Sequence, residues 1–151
     1  MRKILMAVAA ILVLMSACTS QQAALSFDQV LGKEWKLTGI RVENISTGYS
    51  REGLGTGFPD SYTLLFQDEM ISGRAAPNIY RGPFALSENQ GISFDKMAAT
   101  LMASLGEPGG LGENEYFKYL EEVYRWDIKD GRLELHTKNQ EGKASVLVFS
   151  Q

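Results

Sequence analysis

Tyr124-Arg125-Trp126-Asp127-Ile128-Lys129-Asp130-Gly131-Arg132-Leu133-Glu134-Leu135-His136-Thr137 is the stretch whose reading decides the fold. Asp130-Gly131 supplies the positive φ angles that a two-residue type I′ turn requires, so residues 124–129 and 132–137 are expected to form an antiparallel hairpin. Leu133 and Leu135 share one face of the second strand, which turns His136, the sole histidine, toward solvent. Asn139 to Gly142 lead into a further strand at 144–149. The C-terminal part of the chain is therefore read as a three-stranded meander.

The same alternation extends toward the N-terminus. Trp35-Lys36-Leu37-Thr38 alternates apolar with polar, and Tyr62, Leu64 and Phe66 fall on one face of residues 62–66. Gln67-Asp68-Glu69 separates that strand from residues 70–75, which are expected to end, bulge or lie at a sheet edge near Ala76 because Pro77 lacks a backbone donor. Residues 83–86 and 91–94 bracket Glu88-Asn89-Gln90 as a second hairpin. One helix is expected at 115–123, with Tyr116, Phe117, Leu120 and Val123 on its apolar stripe, Asn114 as N-cap, and Glu113 and Glu115 at the positive end of its dipole. Residues 95–105 read either as a short amphipathic helix or as irregular chain, burying Met97, Leu101, Met102 and Leu105 in both cases.

The chain has 151 residues, 44% of them apolar, with 15 Lys+Arg, 18 Asp+Glu and one Cys. That suits one folded domain plus an appendage and excludes a disordered chain or a disulfide-stapled miniprotein. The acidic balance lacks the electrostatic footprint of a nucleic-acid binder. The appendage is the N-terminus. Arg2 and Lys3 precede twelve residues, Ile4 to Met15, without a polar side chain. Twelve helical residues cover about 18 Å, too short for a membrane span of roughly 30 Å, so the segment reads as an export signal.

Leu14-Met15-Ser16-Ala17-Cys18 resembles a bacterial lipobox. The resemblance implies cleavage before Cys18, a diacylglycerol on its sulfur and an acyl group on its amine, which together give stable membrane anchoring. The expected organisation is a signal peptide at 1–17, a lipidated N-terminus and tether at 18–26, and one domain at 27–151. The processed chain would carry 13 basic and 18 acidic residues, a net charge of 13 − 18 = −5. No Asp follows Cys18, which favours the outer over the inner membrane in a two-membrane cell.

Several short motifs in order, Trp35-x-Leu37, the strand ending at Phe66, residues 73–82, Thr100-Leu101-Met102-Ala103, and Glu115-x-Phe117-x-x-Leu120-x-x-Val123 followed by three strands, resemble the META domain, or HslJ-like, family. The resemblance implies an α+β fold with a mainly antiparallel, curved or barrel-like β-sheet covered by one main amphipathic helix. It implies no defined reaction, but an envelope protein linked to stress tolerance or antibiotic sensitivity, or to motility and virulence in protozoan relatives. Trp35, Gly73, Asn78, Tyr80 and Gly82 are the motif residues and are read as structural. Asn78 is expected to satisfy backbone groups at a turn, Tyr80 to place its hydroxyl at the surface, and Gly82 to permit the turn. The family's Gly-Cys-Asn is Ala76-Pro77-Asn78 here, and Ser104 stands where a second cysteine often follows.

Chemistry finds little foothold in the sequence. One histidine and no Gly-x-Ser-x-Gly leave the common serine-hydrolase pattern without its residues, and no usual zinc set can be built. The carboxylates lack calcium-loop spacing. No catalytic residue, metal or cofactor is therefore expected. Two glycine-rich stretches, 48–57 and 106–112, are expected to be mobile loops. Tyr49, Arg51, Leu54 and Phe58 in the first are the candidate contacts for an envelope protein partner, since exposed aromatics and Arg suit recognition. The preferred reading is a lipid-anchored interaction or structural module. The alternatives are a small-ligand carrier with an apolar cavity inside the sheet, and a hydrolase using paired carboxylates.

Overall fold

In the computed structural model, residues 26–103 and 106–151 are described, and the leader and Cys18 lie outside them. Alternating burial builds the wall: β1 (Glu34–Val42), β3 (Thr63–Gln67), β4 (Met70–Arg74), β5 (Ile79–Ser87), β6 (Gly91–Phe94), β8 (Arg125–Lys129), β9 (Arg132–Lys138) and β10 (Ala144–Ser150). The short β2 (Ile45–Ser46) flanks β1, and β7 (Ala98–Ala99) pairs with β5. Every pairing is antiparallel, and β1 pairs with β10 as well as β3, so the eight wall strands close into a barrel. A barrel of this size is just wide enough for side chains to fill.

They fill it here. Trp35, Leu37, Tyr62, Leu64, Phe66, Ile71, Leu133, Leu135 and Phe149 are fully buried. Phe27 packs edge-on against Phe66 and Trp126, with centroids at 5.1 and 4.9 Å. The Trp35 indole N–H donates to Val30 O at 3.0 Å, satisfying the one polar atom of that side chain. A register shift between Leu37 and Gly39 lets β1 keep Ile40 inward after Leu37. The hollow sheet expected of a ligand carrier is replaced by a packed core.

The expected hairpins are present. Asp130 and Gly131 have φ of 52° and 73°, Asp68 and Glu69 have 51° and 60°, and Asn89 and Gln90 have 57° and 62°. Consecutive left-handed residues match the right-handed twist of the flanking strands. β5 begins at Ile79, four residues before the expected strand, because residues 79–82 pair with β4.

The helix, α1 (Glu113–Glu121), starts two residues earlier than expected, and Gly112 rather than Asn114 occupies the N-cap position. Glu113 is drawn into the fold by a buried partner described below, which places residue 114 inside the first turn. Tyr116, Tyr119 and Leu120 are buried, and Phe117 only partly. Residues 95–103 form no helix. They continue as an extended segment beside β5, and Leu101 and Met102 are exposed rather than buried.

Candidate functional site

β4 stops at Arg74, and a turn through a cis Ala76–Pro77 peptide bond delivers Asn78 to the start of β5. Asn78 is buried, and its side-chain amide behaves like an extra peptide group. Its Oδ1 accepts from Met102 N–H at 2.7 Å and from Thr100 Oγ1 at 2.7 Å, while its Nδ2 donates to Met102 O at 2.9 Å. The ladder between β5 and β7 is thereby extended past the start of β5. Glu113 fixes the amide's orientation: Oε2 accepts from Nδ2 at 2.7 Å and Oε1 from the Asn78 backbone N–H at 2.9 Å. Charge-assisted bonds of this kind are about twice as strong as neutral ones. Both oxygens of this buried carboxylate are thus engaged in joining α1 to the strand turn.

The next residues explain the remaining motif. Gly73 faces Tyr80 across β4 and β5, and a Cβ on Gly73 would lie 2.0 Å from Thr63 O. The missing side chain lets the Tyr80 hydroxyl cross to donate to Thr63 O at 2.7 Å and meet Tyr116 Oη at 2.9 Å. Tyr80 is buried, so its hydroxyl is inside the fold and not at the surface as expected. Burial pushes the Tyr80 and Tyr116 phenols well above their ordinary range, which leaves them as neutral hydrogen-bonding groups. Tyr62 stacks edge-on to Tyr116 and donates to Leu111 O. Gly82 lies within β5 and makes no turn; a Cβ there would come within 3.0 Å of Met97 Cα, where the chain passes over it.

The four loop residues expected to face a partner separate. Tyr49 and Leu54 are buried. The Tyr49 hydroxyl donates to Leu37 O at 3.1 Å, and burial raises its pKa to about 12 against the lowering influence of Arg51. The Arg51 guanidinium donates to Leu37 O, Ser61 O and Pro59 O, at 3.3, 3.1 and 2.7 Å, tying the loop to the barrel. Phe58 alone of the four is an exposed large side chain. The two glycine stretches also dock on one another: Ser50 N–H donates to Gly109 O at 3.1 Å, and a Cβ on Gly53 would sit 3.1 Å from Gly109 Cα. Gly53 and Gly109 serve close packing between the two stretches.

On the outer wall, Arg41 of β1 reaches across β10 to Glu134 of β9, with Nη2 and Oε1 2.8 Å apart. Neighbouring His136 is half-buried rather than solvent-facing, and desolvation followed by the nearby Arg125 charge lowers its pKa. Among the described residues no group of three or more His, Cys, Asp or Glu side chains converges as a metal set. A groove of about 790 Å³ runs outside the wall along Leu65, Met70, Ser72, Arg74 and Ile79. Two further hollows, of about 350 and 800 Å³, lie between the 97–103 segment and α1.

Sequence reasoning missed Glu113, Thr100 and Tyr116 as partners of the motif. Their separations of 35, 22 and 36 residues from Asn78 or Tyr80 leave no local pattern. The clue available was a glutamate in the first turn of a helix that begins after a glycine.

Comparison with known proteins agrees with this architecture. A crystal structure of a DUF4847 family protein from Bacteroides vulgatus superposes with a TM-score of 0.60 at 9% identity, covering 82% of this chain and 95% of that one. An NMR structure of a protein from Burkholderia xenovorans gives 0.57 at 19% identity, covering 82% and 86%. At such identities the likeness shows the fold alone. No curated protein matches the chain significantly. The META domain model, however, matches residues 15–150, and with the motif residues accounted for in the barrel, the chain belongs to the META domain family.

Proposed function

We propose that this protein is a lipid-anchored module of a bacterial cell envelope, held to the bilayer through Cys18, which works by binding or bracing another envelope component and not by catalysis. The observation that carries this reading is the filled barrel: buried aromatic and aliphatic side chains occupy its interior, and the buried Asn78, Tyr80 and Glu113 are engaged in holding the fold. The outer surface is then the part of the molecule available for work. On this reading α1 serves as a cover for one barrel end, with Tyr116 and Leu120 as its plug. The leader of twelve apolar residues and the lone cysteine after Ser16-Ala17 support the anchor. A part in envelope stress or antibiotic tolerance is what membership of the family suggests.

The test is chemical. A Cys18→Ser variant expressed in a lipoprotein-processing bacterium is expected to lose radioactive palmitate incorporation and to leave the membrane fraction. Labelling equal to that of the unaltered chain would overturn the anchor.

A further inference from the structure

The chain from Met97 to Ala103 runs along the margin of the barrel with two unlike edges. Toward β5 it is bonded throughout: Ala98 and Ala99 pair with Arg81 and Tyr80, Thr100 N–H donates to Ile79 O at 3.1 Å, and the Asn78 amide bonds both backbone groups of Met102. Because an antiparallel ladder engages alternate residues, the peptide groups of Ala99 and Leu101 face the other way. On that side β7 has no neighbouring strand among the described residues.

The open edge borders a channel. Met97 and Ala99 face Asn114, Phe117, Lys118 and Glu121 of α1, and the channel continues past Leu101 to Glu107 and Glu115. Leu101 is 100% exposed and Met102 62%. Natural sheets blunt such edges with Pro, Lys or a cover; Ala98-Ala99-Thr100-Leu101-Met102-Ala103 has no charge and no proline. The rim opposite is acidic, with Glu107, Glu115 and Glu121 against Lys118.

We propose that residues 98–102 are a docking edge for an extended peptide segment of a partner protein, which adds as a further strand and lies between this edge and α1. Such strand addition takes affinity from main-chain bonds and selectivity from alternate side chains. Small or apolar side chains of the segment would face Leu101 and Phe117, and Lys or Arg side chains the three glutamates. The proposal rests on reading the protein as an interaction module and is independent of its lipid anchor.

The probe is an acetylated, amidated peptide of alternating Lys and Val, titrated into the 15N-labelled full chain in zwitterionic detergent micelles. The amide signals of Ala99 and Leu101 are expected to shift and to gain about ten-fold protection from hydrogen exchange, whereas Thr100 and Met102, already bonded, gain little. Leu101→Pro removes an outward donor without breaking an internal bond and is expected to weaken binding about ten-fold. The same peptide N-methylated at alternate residues keeps its charge but cannot pair, and is expected to weaken to a similar extent without any change to the protein. Equal binding by the methylated peptide, equal binding by Leu101→Pro, protection at Ile45 and Ser46 of β2 instead, or no binding would each overturn the docking edge. Cys18-dependent membrane attachment surviving such a result would leave the anchor intact.

Discussion

Replacing Asn78 by aspartate changes one atom pair in a buried contact. Nδ2 now lies 2.7 Å from Glu113 Oε2; in the variant a carboxylate oxygen takes its place. Losing a hydrogen bond to a charged group costs about 1.5–3 kcal/mol. Two like charges about 4 Å apart at an effective dielectric of about 20 repel by about 4 kcal/mol. The sum, about 5–7 kcal/mol, is comparable to the whole stability of a domain, about 5–15 kcal/mol. Asn78→Ala loses the bonds without adding charge and is expected to cost about 2–3 kcal/mol, since the exposed Met102 can rehydrate. The order at neutral pH is therefore unaltered chain, alanine, aspartate.

Acid should reverse part of the defect. The two facing carboxyls share a proton more tightly in the folded state than in the unfolded chain, where carboxyls titrate near about 4. The folded state then binds the extra proton, so the aspartate variant loses stability as pH rises from about 4 and regains it on return from about 7 to about 5. Urea unfolding followed by the fluorescence of buried Trp35 and Trp126 reads this directly. At a slope of about 1.5–2 kcal/mol per M, the alanine midpoint falls by about 1–2 M and the aspartate midpoint by about 3 M. An aspartate variant as stable as the alanine one near pH 7, or one that gains nothing on the unaltered chain near pH 5, would refute the assignment.

Other perturbations probe separate parts of the fold. Gly73→Ala would set a Cβ 2.0 Å from Thr63 O, so the strands must part; a loss of about 2–4 kcal/mol is expected in the same unfolding assay. Tyr49→Ala removes a buried ring and should cost about 3–5 kcal/mol, whereas Phe58→Ala, at an exposed position, should stay within about 0.5 kcal/mol; thermal melts that reverse this order would contradict the loop's role as an anchor. His136 has a lowered folded-state pKa, so the unfolded chain binds more protons between the two values and stability falls as pH drops from above about 6.5. His136→Gln is expected to flatten that slope, and an unchanged slope would place its origin elsewhere.

The strands were legible wherever burial alternates and a polar gap separates two runs. Asp130-Gly131, Asp68-Glu69 and Asn89-Gln90 all mark true hairpin turns, the last two without glycine. The β1 to β2 turn at Glu43-Asn44 escaped notice because β2 has only two residues, both exposed, and so no pattern. Tyr80 read as a residue with its hydroxyl at the surface because Pro77 hides the start of β5, although the strand alternates exposed and buried from Ile79 to Gly82. Tyr49 and Leu54 read as surface because glycines surround them; their burial depends on a second loop far along the chain packing against the first. The Asn78 and Glu113 contact likewise joins residues that only the closed barrel brings together.

The seam between β1 and β10 has a temporal meaning. Thr38 donates to Val148 O, 110 residues further on, so a chain emerging from its N-terminus offers β1 without its last neighbour until almost all of it has appeared. Ring closure is therefore a late event, and non-local pairing of this kind slows folding. Losing β10 (Ala144–Ser150) would therefore leave two raw borders, one on β1 and one on β9, on an unsealed sheet.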